Sequence, residues 1–333
     1  MVRSLFLVAM LPIALALSMS ASPSRTAVSG KFSPFAQRAL DVVASHPIVK
    51  RNPYCEWFST AEASVADVRD LVQQFSVFSN LFLLAQLMKI INAPTLEEMR
   101  EGKEILANEI GVVFKSQRET KQGAKPSEFD PDFVSPVGSV EGGVYRHRAA
   151  HFEWLCDVGA SVGLEFGDLG KRRHGTEATL HFCDKLYEIY GSEDLSVSLG
   201  ASFAIEHWAN AGFWDQLVDG FEALNRKVAT SNGDSTGHDA GQSDSGAAVL
   251  KEKSPMGFWK FHQALEAQHA SHTMDELEAA YAAGRITDEA AFERAAVEIL
   301  DACAVFWSGL DATRKGQAFD LKKLDEAMGE YGI

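Results

Sequence analysis

The stretch FWKFHQALEAQHAS, residues 258–271, carries His262, Glu266 and His269 at intervals of four and three residues. Each residue of an α-helix turns about 100°, so Glu266 and His269 lie about 40° and about 20° to either side of His262. The flanking Phe258 and Phe261 are apolar, which favours a helix whose polar stripe faces the protein interior. The stretch therefore predicts a buried helix with three candidate metal ligands on one face.

The chemistry of this stripe favours a bound metal ion. Burying two imidazoles and a carboxylate without partners costs several kcal/mol, and a divalent cation removes that cost. Nitrogen and oxygen ligands together suit iron, manganese or zinc. A solvated face and a structural hydrogen-bond cluster are the alternative interpretations.

Helical periodicity extends over most of the chain, and no stretch shows the alternation typical of a β-strand. Ser64 with Asp67 and Thr95 with Glu98 resemble capping boxes, which mark helix starts. Helices are expected at 64–91, 95–114, 145–162, 176–190, 195–208, 214–228, 258–271 and 287–310, with a short helix that Thr273 and Glu276 cap and that ends at Gly284. The predicted fold class is all-α, with a single domain over residues 36–330.

A low-complexity segment interrupts this domain. Residues 231–247 contain four Gly, four Ser and three Asp and no large apolar side chain. Such a segment cannot bury enough apolar surface to offset the entropy lost on ordering. A disordered insertion is therefore expected at residues 229–253.

Composition excludes some classes of protein. A net charge of -15 argues against nucleic-acid binding, which needs a basic face. The four cysteines are far apart and contain no Cys-x-x-Cys pair, so they favour buried thiols over a zinc ribbon or a disulfide scaffold. Hydrophobic residues make up 46% of the chain, enough for a sizeable core.

The N-terminus has the pattern of a targeting segment. Arg3 precedes an apolar run at residues 5–17 and small residues at 18, 20 and 21, as in a signal peptide. The following residues, 22–40, are rich in serine, basic, and free of acidic side chains, as in a transit peptide. Residues 1–35 thus resemble the two-part presequences that lead into complex plastids. Secretion or another endomembrane compartment is the alternative.

Three further side chains interrupt otherwise apolar stripes on other predicted helices, as inward-facing ligands of a helical bundle do. Glu109 follows Ile105 and Leu106, and Glu206 ends the apolar run 199–205. His151 stands beside Phe152, Trp154 and Leu155. A lone buried glutamate or histidine is more often a structural hydrogen-bonding group than a ligand, so each of them alone is weak evidence.

The order and spacing of these motifs resemble the haem-oxygenase-like diiron oxidases, a group of seven-helix proteins. The resemblance rests on Asn108-Glu109, on His151 to Leu155 running to Val162-Gly163-Leu164, on Gly200 to Glu206 ahead of Trp214-x-x-Leu217-x-x-Gly220, and on His262-x3-Glu266-x2-His269. It covers about residues 45–312, with 287–310 as the closing helix. The resemblance implies a haem-oxygenase-like seven-helix bundle that binds Fe(II), one or two ions per chain.

The resemblance also implies a role for each ligand. Glu109 would bridge two irons, His151 and His269 would bind one of them, and Glu206, His262 and Glu266 would complete the other. The stretch between Glu109 and His151 is longer than in the family. Side chains that could replace an assigned ligand are Glu141, His147, Glu177 and His181.

One ligand position departs from the family. An early-helix glutamate is expected where Gln73 and Gln74 stand. Glutamine is a poor ligand, so either a nearby carboxylate serves instead, or the second iron is weakly held, or there is one iron. The nearby carboxylates are Glu62, Asp67 and Asp70.

The expected function is therefore an O2-dependent oxidase or oxygenase with non-haem iron. Its partners would be O2, a small and partly apolar substrate such as a fatty acid, an amino acid or a pigment-related molecule, and an external electron donor. The oligomeric state stays open, a homodimer included. Alternatives are a thiaminase-like enzyme using Cys156, a haem oxygenase using His46, and a non-catalytic helical binding protein.

Overall fold

A computed structural model of the chain describes residues 32–110, 151–233 and 250–322. These residues form helices and connecting loops and contain no strand, so the all-α class is confirmed for the described part. From Ser33 onward they belong to one compact unit. The helices are α1 Pro34–Ser45, α2 Pro47–Lys50, α3 Pro53–Ser59, α4 Val65–Ile91, α5 Leu96–Glu109, α6 His151–Ser161, α7 Glu177–Lys185, α8 Leu195–Ala209, α9 Phe213–Gly233, α10 Gly257–Ala282 and α11 Glu289–Arg314. The seven-helix haem-oxygenase-like arrangement stays a prediction.

Both predicted capping boxes begin helices where expected. The Ser64 hydroxyl accepts a hydrogen bond from the Asp67 amide, and the Asp67 carboxylate accepts one from the Ser64 amide at 2.8 Å. At the start of α5, the Thr95 hydroxyl accepts a hydrogen bond from the Glu98 amide at 3.2 Å. These caps satisfy amide groups that the first turn of a helix leaves without partners.

Helix α10 is one continuous helix, and the prediction of a break before Thr273 is wrong. Thr273 is buried, and its hydroxyl donates to the carbonyl oxygens of His269 and Ala270, at 3.3 and 3.1 Å, instead of capping a new helix. A threonine inside a helix commonly bonds back to the preceding turn in this way. The predicted end near Gly284 is confirmed, since α10 ends at Ala282 and Gly284 adopts a φ of 66°.

Other boundaries also differ from the predictions. Helix α1 begins at Pro34, before the expected domain start at residue 36, because Ser33 caps it and Phe35 is fully buried. Helix α9 continues to Gly233, so residues 229–233 of the expected insertion are helical. Its buried stripe through Phe221, Leu224 and Val228 carries the helix that far. Residues 234–249 of the insertion, and residues 1–31 of the expected presequence, lie outside the described residues.

Helices α8 and α11 pack closely at the centre of the unit. An added Cβ at Gly200 of α8 would lie only 2.3 Å from the carbonyl oxygen of Phe292 on α11. Glycine is therefore required at this crossing, where two backbones meet. The close approach fixes α8, which carries Glu206 six residues further along.

Helix α4 is the longest apolar helix of the described residues. By length and composition it could cross a membrane, and 56% of its most apolar window is buried inside the protein. A core helix of a globular protein has the same properties. Phe75, Phe78 and Phe82 of α4 are buried against aromatic rings from other helices.

Candidate metal centre

The polar stripe of α10 faces the interior. His262, Glu266 and His269 are each at least nine-tenths buried, as the apolar neighbours in the sequence predict. Because α10 is unbroken, Thr273 and Glu276 continue the same stripe at intervals of four and three residues. The helix thus presents one buried polar face along most of its length.

Helix α8 contributes a carboxylate to this face. Apart from Val197 and His207, α8 is buried from Ser196 to Ala209, and Glu206 is only 4% exposed. Nδ1 of His269 lies 3.4 Å from Oε2 of Glu206 and 3.4 Å from Oε2 of Glu266. One ligand atom from each of the three residues falls within 4.8 Å of the other two, so the cluster could hold a metal ion.

The electrostatics of the cluster also favour a cation. Burial alone lowers the pKa of His269, but hydrogen bonds and charges from Glu206 and Glu266 outweigh it and raise that pKa to about 11. Two buried carboxylates thus draw positive charge to the point between them. Nε2 of His269 is buried and, within the described part of the chain, has no hydrogen-bond partner.

A pair of histidines from α6 and α10 lies next to the cluster. The rings of His151 on α6 and His262 on α10 have centroids 4.5 Å apart and meet edge to face. Nδ1 of His262 lies 2.7 Å from the Phe258 carbonyl oxygen, which can only accept a hydrogen bond. Nδ1 therefore carries the proton and Nε2 the lone pair that a metal would use. The Trp214 ring stacks on His262 at 4.6 Å and fixes its plane.

The measured contacts pair the ligands differently from the family resemblance. The resemblance assigns His151 and His269 to one iron, and Glu206, His262 and Glu266 to the other. In the structure, His269 contacts the two carboxylates, and His151 contacts His262. Five of the six candidate ligands are thus described, in two adjoining groups.

The sixth candidate, Glu109, is the last residue of α5, and its side chain lies outside the described part. The substitutes Glu141 and His147 also lie outside the described residues. The other pair of substitutes lies on α7, where Glu177 is exposed and His181 is half-buried. Neither belongs to the group of potential ligands around His269.

Gln73 and Gln74, which stand where the family would have a glutamate, make hydrogen bonds to the loop before α7. Nε2 of Gln74 donates to the His174 carbonyl at 2.9 Å, and its Oε1 accepts from the Thr176 amide and the Thr179 hydroxyl. Gln73 donates to the Asp168 carbonyl at 3.1 Å. Both amides are thereby committed to the segment before α7.

The nearby carboxylates do not join the described cluster either. Asp67 caps α4, and Glu62 is exposed. Asp70 is half-buried, and burial, followed by the charge of Asp67, raises its pKa to about 6. None of the three lies in the ligand group of the described residues.

Sequence reasoning missed a buried ion pair beside the candidate centre. Nζ of Lys89, near the end of α4, lies 3.1 Å from Oε2 of Glu276 on α10 and 2.9 Å from the Ser202 hydroxyl on α8. Ser202 precedes Glu206 by one helical turn, and Glu276 follows His269 by two. His262, His269 and Glu276 are spaced seven residues apart. If α10 had been predicted as unbroken, this spacing would have placed Glu276 on the same buried face.

Comparison of the chain with protein-family models, with curated proteins and with solved structures finds no match.

Proposed function

We propose that this chain is an O2-dependent oxidase or oxygenase that uses non-haem iron. The observation that supports the proposal most directly is the buried cluster of Glu206, Glu266 and His269, from two helices, with ligand atoms close enough to share one ion. Two carboxylates and an imidazole suit iron, manganese or zinc, and iron is the one of these that supports oxidation by O2. The adjoining pair, His151 and His262, offers imidazoles for a second ion.

The surroundings of the cluster favour oxidative chemistry on an apolar molecule. Glu206, Glu266 and His269 would hold Fe(II), and the bound iron would supply the reduction of O2. Phe261 and Trp154 pack on His151, while Phe258 and Trp214 pack on His262, and together they exclude water from the ligands. Aromatic side chains of this kind would suit a small, partly apolar substrate such as a fatty acid, an amino acid or a pigment-related molecule.

Protein groups around the ligands hold them in place. The Phe258 carbonyl fixes the tautomer of His262, and Trp214 restricts rotation of its ring. The close packing of α8 on α11 at Gly200 fixes the helix that carries Glu206. Supporting groups of this kind tune metal affinity and are part of a functional site.

Two alternative enzymes on a similar fold receive less support. A haem oxygenase needs a histidine that can bind haem iron, but Nε2 of His46 lies 2.9 Å from Asp301 and Nδ1 accepts from the Ile48 amide. A thiaminase-like enzyme needs a reactive thiolate, but burial, followed by the charge of Asp157, raises the pKa of Cys156 to about 11. Both side chains therefore have structural explanations.

Iron content and oxygen uptake test the proposal together. The full chain, produced in iron-supplemented medium, should hold one to two irons and consume O2 when a reductant is added. His262→Ala should lose both properties, because an imidazole ligand is removed. His272→Ala is the matched control, since His272 lies exposed on the same helix. Retention of iron and oxygen uptake by His262→Ala would contradict the proposal.

A further inference from the structure

Aromatic rings extend without interruption from the candidate metal ligands to the surface. Trp214 stacks on His262 with ring centroids 4.6 Å apart and an interplanar angle of 17°. Trp307 contacts Tyr54 at 5.6 Å, and Tyr54 contacts Trp57 at 5.4 Å. Trp57 is partly exposed, whereas the other three rings are buried.

Two phenylalanines close the gap between Trp214 and Trp307. Phe75 lies 5.6 Å from Trp214 and 6.3 Å from Trp307, and Phe213 lies 4.6 and 5.6 Å from the same two rings. A single ring therefore lies between the two indoles on each of two paths, one through Phe75 and one through Phe213. Such distances are ordinary packing contacts for aromatic pairs.

Aromatic packing stabilises most protein cores, but the order of ring types here is specific. Indole loses an electron far more readily than a phenylalanine ring. Indoles stand at the metal ligand, at the midpoint and at the surface, namely Trp214, Trp307 and Trp57. Because tunnelling slows exponentially with distance, such a series passes charge faster than one long step.

We infer that Trp214, Trp307 and Trp57, with Tyr54 as a bridging ring, form an electron-transfer route between the candidate metal centre and the surface. The inference rests on the proposed function, since it takes an oxidised metal centre as the electron acceptor. Trp214 would give one electron to that centre, and its indole would become a radical cation that keeps its N–H proton. Trp307 then reduces the Trp214 radical cation, and Trp57 reduces the radical cation left on Trp307.

An external reductant completes the electron balance. A one-electron donor such as ascorbate reduces the Trp57 radical cation at the surface and is itself oxidised. The net result is transfer of one electron from the donor to the centre, with the three indoles unchanged. The Arg314 guanidinium lies 4.1 Å from the centroid of the Trp57 ring. Asp311 pairs with this guanidinium at 2.6 Å, so its positive charge is compensated beside the ring.

The route can be tested without iron, which separates it from the proposed function. The full chain is mixed with Zn²⁺, which is redox-inert, and with photogenerated ruthenium(III) trisbipyridine as a surface oxidant. Oxidised tryptophan at position 214 is then measured by peptide mass spectrometry. Trp214 is 6% exposed, so direct attack by the bulky oxidant is suppressed.

Two substitutions decide the outcome. In the unmodified chain, oxidation should appear at Trp57, Trp307 and Trp214. Trp307→Phe keeps a ring in the core but removes the middle indole, so oxidation at Trp214 should fall to the level of the dark sample. Trp154→Phe is the matched control, because it also replaces an indole by a phenyl ring, and the rings that Trp154 contacts, His151 and Phe261, do not belong to the route.

A second variant covers the case in which Trp307→Phe fails to fold. Trp57→Phe, at the partly exposed end, should remove oxidation at both Trp307 and Trp214. Unchanged oxidation of Trp214 in either variant would overturn the inference, as would equal losses in Trp307→Phe and Trp154→Phe. If the chain binds no iron but the indoles still pass charge, the proposed function fails and the route stands.

Discussion

Nδ1 of His269 lies 3.4 Å from Oε2 of Glu206, across the contact between α10 and α8. The pair joins two helices that are distant in sequence, at a point where both are buried. An imidazole and a carboxylate at this separation can share either a proton or a metal ion.

Metal binding should stabilise the fold through Glu206. A ligand present at a hundred times its Kd, and bound only by the folded state, stabilises that state by about 2.7 kcal/mol. We expect Mn²⁺, an air-stable substitute for Fe(II), to raise the Tm of the unmodified chain in calorimetry. Glu206→Ala should show no such rise, because one carboxylate ligand is lost.

Glu193→Ala provides the control for that measurement. Glu193 is an exposed carboxylate just before α8, so its removal changes the net charge equally without touching the cluster. Its Tm should rise with Mn²⁺ as in the unmodified chain. An equal rise in Glu206→Ala would show that Mn²⁺ binds elsewhere.

The ion pair of Lys89 and Glu276 should be sensitive to the loss of one partner. Lys89→Met leaves the buried Glu276 carboxylate without its cation, and breaking such a pair costs about 3–5 kcal/mol. Denaturant unfolding of Lys89→Met should show a loss of that order. The double variant Lys89→Met with Glu276→Leu should recover most of it, because two apolar side chains of similar size replace the pair. If the single and double variants lost equal stability, the ion pair would not be the cause.

Helix positions were largely predictable, because caps and apolar periodicity are local signals. Ser64 and Thr95 begin helices as predicted, and His262, Glu266 and His269 are buried together as their spacing indicates. The break assigned before Thr273 was wrong, because a threonine followed by an acidic residue three positions later has the same sequence signature inside a helix as at its start. Only the three-dimensional structure shows that the Thr273 hydroxyl donates to a carbonyl oxygen of the preceding turn.

The candidate site was less predictable where it depends on distant contacts. The sequence indicates that Glu206 is buried, but the 3.4 Å contact with His269 depends on how α8 and α10 pack. The same is true of Lys89, since a lysine near the end of an apolar helix is usually exposed. Its partner Glu276 is 187 residues away in sequence, and no local pattern connects them.

Gly200 should tolerate no side chain. A Cβ there would lie 2.3 Å from the Phe292 carbonyl oxygen, so Gly200→Ala must push α8 away from α11. Overpacking of a core typically costs about 1–3 kcal/mol, and here it also shifts Glu206. We expect a lower free energy of unfolding together with weaker Mn²⁺ binding by calorimetric titration.

Gly257→Ala is the matched control for that variant. An added Cβ at Gly257 has no neighbour within 4 Å, and the residue lies in the first turn of α10. Its substitution should leave stability and Mn²⁺ binding unchanged or slightly improved. Normal Mn²⁺ binding by Gly200→Ala would show that the spacing of α8 and α11 does not affect the metal centre.

Asp70 should make stability depend on pH in the mildly acidic range. Its pKa is raised to about 6 in the folded chain by burial and then by the charge of Asp67, against 3.8 for the unperturbed group. The folded state therefore binds the proton more tightly, and stability is highest below pH 3.8 and is lost as pH rises through about 6. Asp70→Asn should remove this loss and raise the free energy of unfolding at pH 7 by about 1 kcal/mol, after allowance for solvent screening. Denaturant unfolding at pH 5 and pH 7 measures it, and an equal gain at both values would assign the effect to another cause.

The unbroken course of α10 links two parts of the interior mechanically. One continuous helix carries the candidate ligands His262, Glu266 and His269 and also Glu276. A rotation of α10 that widens the ligand cluster therefore also moves Glu276 away from Lys89. The contact of Glu276 with Lys89 therefore fixes the rotation of α10 about its own axis, and with it the direction in which the candidate ligands point.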